Sequence, residues 1–245
     1  MMDSSPLRLR LSAEALGTFL FFFFGFNAIA VASELRNGSI STLGVAFAFG
    51  LGLALAITAL GHVSGGHFNP AVTLGLATAR NFPPNEVIPY WIAQLAGGFV
   101  AVLAVATVYS RHAVNALTTA PSPRITSGGA FILEFIVTGL FVMVITTVAT
   151  DSRAPWHGVM TPLLIGLFIF TAADAVGPAS GGSFNPARSL DPALYNLNFS
   201  HIWIYLIAPL TGAVLGGVIR TGFGPTSNTT PQRSARLDVL GQPRD

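Results

Sequence analysis

Two copies of the motif Ser-Gly-Gly-x-Phe-Asn-Pro-Ala, at residues 64–71 and 180–187, are the most distinctive polar feature of an apolar sequence. Each Asn carries an amide that can donate a hydrogen bond to a solute oxygen, and the irregular backbone before it offers carbonyl acceptors. These groups suit the binding of a small uncharged molecule. The residues concerned are Asn69, Pro70, Ala71, Asn185, Pro186 and Ala187.

Each motif also predicts the start of a short helix. Asn is a strong N-cap and Pro suits the first helical position. Helix-compatible sequence then continues over residues 69–79 and 185–195. Such a helix is about 16 Å long, which is half of a hydrocarbon core about 30 Å thick. Two of them end to end nearly cross a bilayer, and their Asn-capped ends would meet near its centre.

Arg188 directly follows the second motif. An arginine within a membrane segment is rare and usually faces a watery cavity, where it supplies donors and a fixed positive charge. The alternative is that its side chain extends to the lipid headgroups. His67 lies within the first motif, and we expect it to line the same cavity.

Glu14 and Glu134 each lie in an apolar run, 55 and 51 residues before the Asn of their own motif. A carboxylate buried in a membrane needs partners, and the free backbone N–H groups of the Gly-rich segments are suitable ones. Alternatively, each is an acid in the first turn of its helix, which the helix dipole favours. Neither interpretation makes these acids catalytic.

The composition predicts that membrane-spanning helices position these residues. The 245 residues are 51% hydrophobic and 9% charged, whereas a soluble domain has about 25% charged residues. An unusually apolar soluble protein is the alternative. Six apolar stretches have the length of about 20 residues that a spanning helix needs. They cover approximately 11–33, 42–61, 87–109, 128–149, 158–177 and 202–221.

The chain repeats itself over these stretches. Repeat 1 covers about 11–109 and repeat 2 about 128–222, and each motif follows the second helix of its repeat. Three helices per repeat give the second copy the opposite orientation, as in many transport folds. The prediction is an all-α membrane protein with six transmembrane helices and two re-entrant half-helices in an inverted repeat.

The ends of the chain are predicted to lie in the cytoplasm. The side that holds both termini carries eight arginines and the other side three, so the positive-inside rule puts both termini inside. We expect residues 1–10 to form a terminal segment, 11–222 the membrane domain and 223–245 a disordered tail. Basic residues before the first apolar run also allow a cleaved signal peptide, although that run is long enough to span.

Several function classes lack the residues that they need. The chain has no cysteine and no basic stripe with aromatics, which excludes thiolate metal sites and argues against nucleic-acid partners. We find no cluster typical of an enzyme and predict neither metal nor cofactor. An ion-coupled transporter would need a carboxylate near the bilayer centre, for which Asp174 is the only weak candidate.

The motifs, together with 14–18, 93–98 and 185–190, resemble the aquaporin or major intrinsic protein family over about residues 10–222. The resemblance implies a homotetramer in a cell membrane, with a pore in each monomer that passes water or small neutral solutes and excludes protons and ions. It also implies a selectivity filter at the outer mouth. By offset from the motifs, this filter comprises Phe49, Ala173, Gly182 and Arg188.

The filter residues leave the choice of solute open. Strict water channels of the family usually have His where this chain has Ala173, and small residues imply a wider opening. Glycerol facilitators usually have Asp after the arginine, where this chain has Ser189. We expect water, with glycerol, urea, ammonia or metalloid transport as the alternative. Asp191 stands where the family usually has Gly. Asp174 lies beside the expected filter, where its carboxylate could pair with Arg188, face a helix neighbour or face the outer vestibule.

Overall fold

A computed structural model describes residues 5–35, 40–154 and 158–224, and within these ranges it is all helical. The helices are α1 (Leu7–Leu35), α2 (Thr42–Ser64), α3 (Pro70–Thr78), α4 (Val87–Ala106), α5 (Arg111–Asn115), α6 (Ser127–Thr150), α7 (Thr161–Ser180), α8 (Pro186–Asn196) and α9 (Ile202–Thr221), with a short 3-10 helix at Pro84–Glu86 before α4. This confirms the all-α prediction.

Six of the helices in the described ranges, namely α1, α2, α4, α6, α7 and α9, are long and apolar enough to cross a membrane. The predicted spans are therefore correct in number and order. The main difference in bounds is that α1 begins at Leu7, so residues 7–10 of the predicted terminal segment are helical. Arg10 forms an ion pair with Glu86 beside the start of α4, and this pair attaches the additional first turn of α1 to the start of α4.

The two repeats are built alike. In the first, α1 packs along α4; in the second, α6 packs along α9; and α2 meets α7 between the repeats. Close approach at these crossings depends on glycine. A Cβ at Gly97 would overlap with the backbone carbonyl of Ala15, and one at Gly212 with that of Phe135. Small residues therefore allow the spanning helices to come together and form the walls of the bundle.

The short helices α3 and α8 follow α2 and α7, as the repeat predicts. They are 9 and 11 residues long, so neither could span a bilayer alone. Each packs against a spanning helix of the other repeat, α3 against α9 and α8 against α4. This packing of each short helix against the other repeat holds α3 and α8 inside the bundle. Most of the predicted tail, from residue 225 onwards, lies outside the described residues.

Candidate functional site

The two segments that lead into α3 and α8 have the same unusual backbone. Two successive glycines have positive φ in each, +94° and +67° at Gly65 and Gly66, and +105° and +63° at Gly181 and Gly182. The Phe before each Asn is also left-handed, with φ of +48° at Phe68 and +52° at Phe184. Glycine adopts these conformations without steric cost, while a phenylalanine there must be held by its surroundings. We call residues 64–69 and 180–185 the first and second pore loops.

Reciprocal hydrogen bonds join the tips of the two pore loops. The Nδ2 group of Asn69 donates to the carbonyl of Phe184 at 2.9 Å, and that of Asn185 donates to the carbonyl of Phe68 at 2.9 Å. Each Asn also caps its own helix, accepting from the N–H of Ala71 at 2.8 Å or Ala187 at 3.0 Å. The predicted meeting of two Asn-capped helix ends is confirmed.

Glu14 holds the first pore loop from behind. Its carboxylate is fully buried and accepts from the backbone N–H groups of His67 at 3.0 Å and Phe68 at 2.8 Å. The hydroxyl of Ser64 and the amide of Gln94 donate to it as well, both at 2.7 Å. Four donors thus satisfy one buried acid, and they link α1, α2, α4 and the loop.

Glu134 does the same for the second pore loop. It is fully buried and accepts from the N–H of Ser183 at 3.0 Å, the N–H of Phe184 at 2.7 Å and the hydroxyl of Ser180 at 2.8 Å. In this structure both acids accept hydrogen bonds from free backbone N–H groups of their own pore loop. The alternative was that each acid lies in the first turn of its helix, where the helix dipole favours a negative charge. Neither Glu14 nor Glu134 lies in a first turn.

Tyr90, Tyr205, Gln94 and Thr73 also support the loops, and we did not predict them. The hydroxyl of Tyr90 donates to the carbonyl of Ser64 at 2.8 Å, and that of Tyr205 to the carbonyl of Ser180 at 2.6 Å. Each tyrosine follows its loop serine by 26 or 25 residues, a spacing in the repeat that could have revealed them. Gln94 has no such counterpart.

A narrow cavity of about 20 Å³ runs past both loop tips. The predicted residues that line it include both Asn side chains and all four expected filter residues. The complete lining is Phe21, Phe49, Leu53, His67, Asn69, Phe141, Ile169, Ala173, Gly182, Ser183, Phe184, Asn185 and Arg188. It combines an apolar wall with amide, imidazole, hydroxyl and guanidinium groups along one path.

A wider vestibule adjoins the cavity on the side that holds the start of α1. Leu53, His67 and Phe141 line both spaces, and Arg10 and Arg80 lie in the vestibule wall. His67 is buried, its Nδ1 lies 3.1 Å from the hydroxyl of Thr73, and its ring packs against Phe82 and Tyr90. His67 thus lies where the cavity and the vestibule adjoin.

Arg188 is buried rather than extended to the bundle surface, with 5% of its surface exposed. Its Nη1 donates to the carbonyl of Leu117 at 2.7 Å, and its guanidinium lies 5.4 Å and 5.3 Å from the ring centroids of Phe26 and Phe49. Its Nε has no hydrogen-bond partner within the described part of the chain. Arg188 therefore contributes a fixed cation and an unused donor to the cavity lining.

Neither aspartate that sequence analysis left open pairs with Arg188. Asp174 is exposed on the outer surface of α7. Asp191 is 1% exposed and lies against Gly98, where a Cβ would overlap with its carboxylate; Phe22 is adjacent. Neither oxygen of Asp191 has a hydrogen-bond partner among the described residues. Whether each aspartate is exposed or buried depends on which face of its helix is turned toward the bundle. The sequence positions of the two residues alone did not reveal this.

The groups that line the cavity suit a small neutral molecule that forms hydrogen bonds. Across residues 5–35, 40–154 and 158–224, no group of three or more His, Asp or Glu residues is placed to hold a metal ion. The polar groups of the cavity are instead hydrogen-bond donors and acceptors whose positions are set by buried supports. Two helix N-termini, each with a partial positive charge of roughly half a unit, point at its centre.

Sequence comparison finds relatives of the same kind. Nodulin-26 of Glycine max is 39% identical over 182 residues, which covers 73% of this chain and 66% of that protein. Aquaporin NIP3-1 of Oryza sativa subsp. japonica is 38% identical over 186 residues, which covers 74% of this chain and 58% of that protein. The matches thus span less than two thirds of the length of these relatives.

A solved structure has the same fold. The aquaglyceroporin from Plasmodium falciparum superposes with a TM-score of 0.80 and 27% sequence identity, covering 87% of this chain and 95% of that chain. The model of the family named major intrinsic protein matches residues 1–220, which include both pore loops and all six apolar helices. This chain therefore belongs to the major intrinsic protein family.

Proposed function

We propose that this protein is a passive transmembrane channel that conducts water, with small neutral solutes as further cargo, and has no enzymatic role. The supporting observation is that the vestibule adjoins the cavity and that Leu53, His67 and Phe141 line both, which we interpret as one path through the protein. A molecule on this path passes both Asn amides and Arg188 between apolar walls. These are hydrogen-bond donors for an oxygen atom, separated by surfaces to which water binds weakly.

Exclusion of ions and protons follows from the charges along this path. The N-termini of α3 and α8 converge on the Asn pair, and Arg188 adds a full positive charge that is held against two aromatic rings. A cation is repelled at both places, while a neutral molecule is not. Asp174, the candidate for coupling an ion, is exposed and lines neither the cavity nor the vestibule, which favours passive flow over ion-coupled transport.

A solute facilitator of the glycerol, urea, ammonia or metalloid type is the second candidate. The observation that favours it is the pair of small residues, Ala173 and Gly182, which line the same cavity as Phe49 and Arg188. Small side chains leave room for molecules larger than water. The solved relative in Plasmodium falciparum is named an aquaglyceroporin, which is consistent with this candidate.

We further propose that the protein is a homotetramer in the cell membrane with both termini in the cytoplasm. Large apolar side chains are exposed on the outside of the bundle, among them Phe47, Leu51 and Leu55 on α2. Lipid and other subunits would both cover such a surface. The excess of arginines on the side of the termini supports the orientation.

Stopped-flow light scattering of proteoliposomes tests the proposal. Vesicles with the protein should shrink in an osmotic gradient faster than empty vesicles, with or without an imposed proton gradient. Parallel gradients of glycerol, urea and ammonia rank the solutes. Water flux equal to that of empty vesicles, together with rapid glycerol or urea flux, would favour the second candidate. Flux that requires a proton gradient would contradict a passive channel.

A further inference from the structure

Three hydroxyl groups form a hydrogen-bonded chain behind the second pore loop. The hydroxyl of Thr119 donates to that of Ser189 at 2.7 Å, and Ser189 donates to Ser183 at 2.7 Å. Ser183 in turn donates to the backbone carbonyl of Asn185 at 2.9 Å. All three side chains are buried, with exposures of 7%, 0% and 5% along the chain. The hydroxyl chain therefore connects the segment before α6 to the tip of the pore loop.

The hydroxyl chain uses all the bonding capacity of Ser183. A hydroxyl has one donor and two acceptor positions. Ser183 donates to the Asn185 carbonyl and accepts from both Ser189 and the N–H of Asn185, the latter at 3.4 Å. Ser183 lines the cavity between Gly182 and Asn185, yet its oxygen is committed to the protein. The hydroxyl of Ser183 is therefore unable to form a further hydrogen bond with a solute in the cavity.

Thr119 is the outermost member of this chain and does not line the cavity or the vestibule. It lies instead in the wall of a separate surface pocket, next to Thr118 and His201. Without the Thr119 hydroxyl, the buried Ser189 oxygen loses the one hydroxyl donor that it has among the described residues. Ser183 can replace that donor only by turning its own hydroxyl toward Ser189, which reverses their bond. One acceptor position of Ser183, the one that Ser189 now fills, then opens to the cavity, while the N–H of Asn185 still fills the other.

We propose that Thr119 is a positioning residue that sets solute selectivity by keeping the hydroxyl of Ser183 turned away from the pore. This inference rests on the channel function proposed above. The solutes affected are those that need several hydrogen bonds to shed their hydration shell, such as glycerol. A hydroxyl released at this point gives such solutes one more partner in the pore, while water, which needs fewer partners, gains less.

The test compares glycerol and water permeability in the same proteoliposomes. Thr119→Val removes the hydroxyl and keeps the shape of the side chain, and should raise the glycerol-to-water ratio about threefold, the scale of one net hydrogen bond. Ser189→Ala breaks the chain at its next link and should raise the ratio similarly. Thr119→Ser keeps a hydroxyl and should have the wild-type ratio. If the ratio rose only because a smaller or altered side chain loosened the loop, Thr119→Ser would raise it as well.

The Ser183→Ala background shows whether the effect of Thr119 passes through Ser183. Thr119→Val should have no further effect on the ratio in this background, because the hydroxyl that it releases is gone. A Thr119→Val effect that persists there, or an unchanged ratio in both Thr119→Val and Ser189→Ala, would overturn the proposal. Wild-type water flux above that of empty vesicles is measured in the same experiment, so failure of the channel function itself is recognised separately.

Discussion

Arg188 shows how the surroundings of one residue decide its role. A guanidinium exposed to lipid headgroups would be mobile, but here it has one carbonyl partner at 2.7 Å and two aromatic rings within reach. Contacts of a cation with aromatic faces are worth about 0.5–2 kcal/mol, more when water is excluded. These contacts hold the charge in one place, which is what a selectivity barrier requires.

Replacing Arg188 should open the pore to molecules that it now excludes. Arg188→Ala removes both a fixed charge and a large side chain from the lining, so we expect several-fold faster glycerol and urea flux and measurable cation leak. Arg111→Ala is the matched control, because Arg111 also lies over an aromatic ring, 5.2 Å from the centroid of Tyr195, but is exposed. Unchanged selectivity in Arg188→Ala would show that this residue does not control passage.

Asp151 makes a second, separate charge cluster at the end of α6. Its carboxylate accepts from Arg153 at 2.6 Å and 2.8 Å and from Arg220 at 2.5 Å. Hydrogen bonds from Arg153 are the main reason why the pKa of the Asp151 carboxyl lies below its ordinary value. A carboxyl whose pKa is lower in the folded state stabilises it above the unfolded pKa of about 3.9 and loses that contribution on acidification.

Thermal unfolding in detergent at several pH values checks this linkage. The midpoint of the wild type should exceed that of Asp151→Asn at pH 7. The difference should shrink as the pH is lowered through about 4, since the wild-type carboxylate then becomes protonated in the unfolded state and finally in the folded state. A difference that is constant from pH 7 to pH 3 would contradict a charged Asp151.

At the scale of elements, the two buried acids are what allow irregular backbone to exist inside the bundle. N–H groups that no helix satisfies cost about 1–3 kcal/mol each when buried without a partner. Glu14 and Glu134 each satisfy two of them, and each also accepts from the loop serine. The carboxylates accept from the N–H groups of Phe68 and Phe184 themselves, and so help to hold these residues in the left-handed conformation.

Glu14→Gln should therefore destabilise the first pore loop. An amide supplies only one acceptor oxygen, and its NH2 group would face two donors, so we expect a loss of about 2–5 kcal/mol and reduced water flux. The control is Glu34→Gln, since Glu34 is an exposed acid on the same helix, and changes of this kind cost within about 0.5 kcal/mol. Equal thermal midpoints for both variants would argue against the role of Glu14.

The crossing of α1 and α4 provides a second test at this scale. Gly97→Ala would push a methyl group into the backbone carbonyl of Ala15, so the helices must separate, at about 1–3 kcal/mol. Gly128→Ala is the matched control, because the nearest atom to its added Cβ, the hydroxyl of Thr126, lies 3.8 Å away. We expect a lower thermal midpoint only for Gly97→Ala. A similar midpoint for the two would mean that the crossing tolerates wider spacing.

For the molecule as a whole, none of the 245 residues is a cysteine, and this predicts how mercury compounds affect water flux. Mercury compounds act on thiols, so they should not inhibit water flux through the wild-type protein. Ser183→Cys places a thiol in the cavity lining and should make flux sensitive to mercury in a way that a reducing thiol reverses. Rapid reversible block of the wild type would contradict this expectation.

Much of this molecule follows from local sequence properties. Runs of apolar residues predict the spanning helices, Asn-Pro predicts the starts of α3 and α8, and the duplicated motif predicts that their tips meet. These features can be predicted because a membrane constrains the length and hydropathy of each spanning helix. The repeat helps further, since a feature found in one half is expected at the equivalent position of the other. The roles of Glu14 and Glu134 followed from the same pairing.

Other features depend on packing between residues far apart in the chain. The spacing in α7 and α8 did not reveal that Asp174 is exposed and Asp191 buried, because it does not say how each helix is rotated about its axis. The bond from Gln94 to Glu14 and the chain from Thr119 to Ser183 join residues 80 and roughly 64 positions apart. Only the fold brings such hydroxyls and amides within bonding distance, since no local pattern encodes their contact.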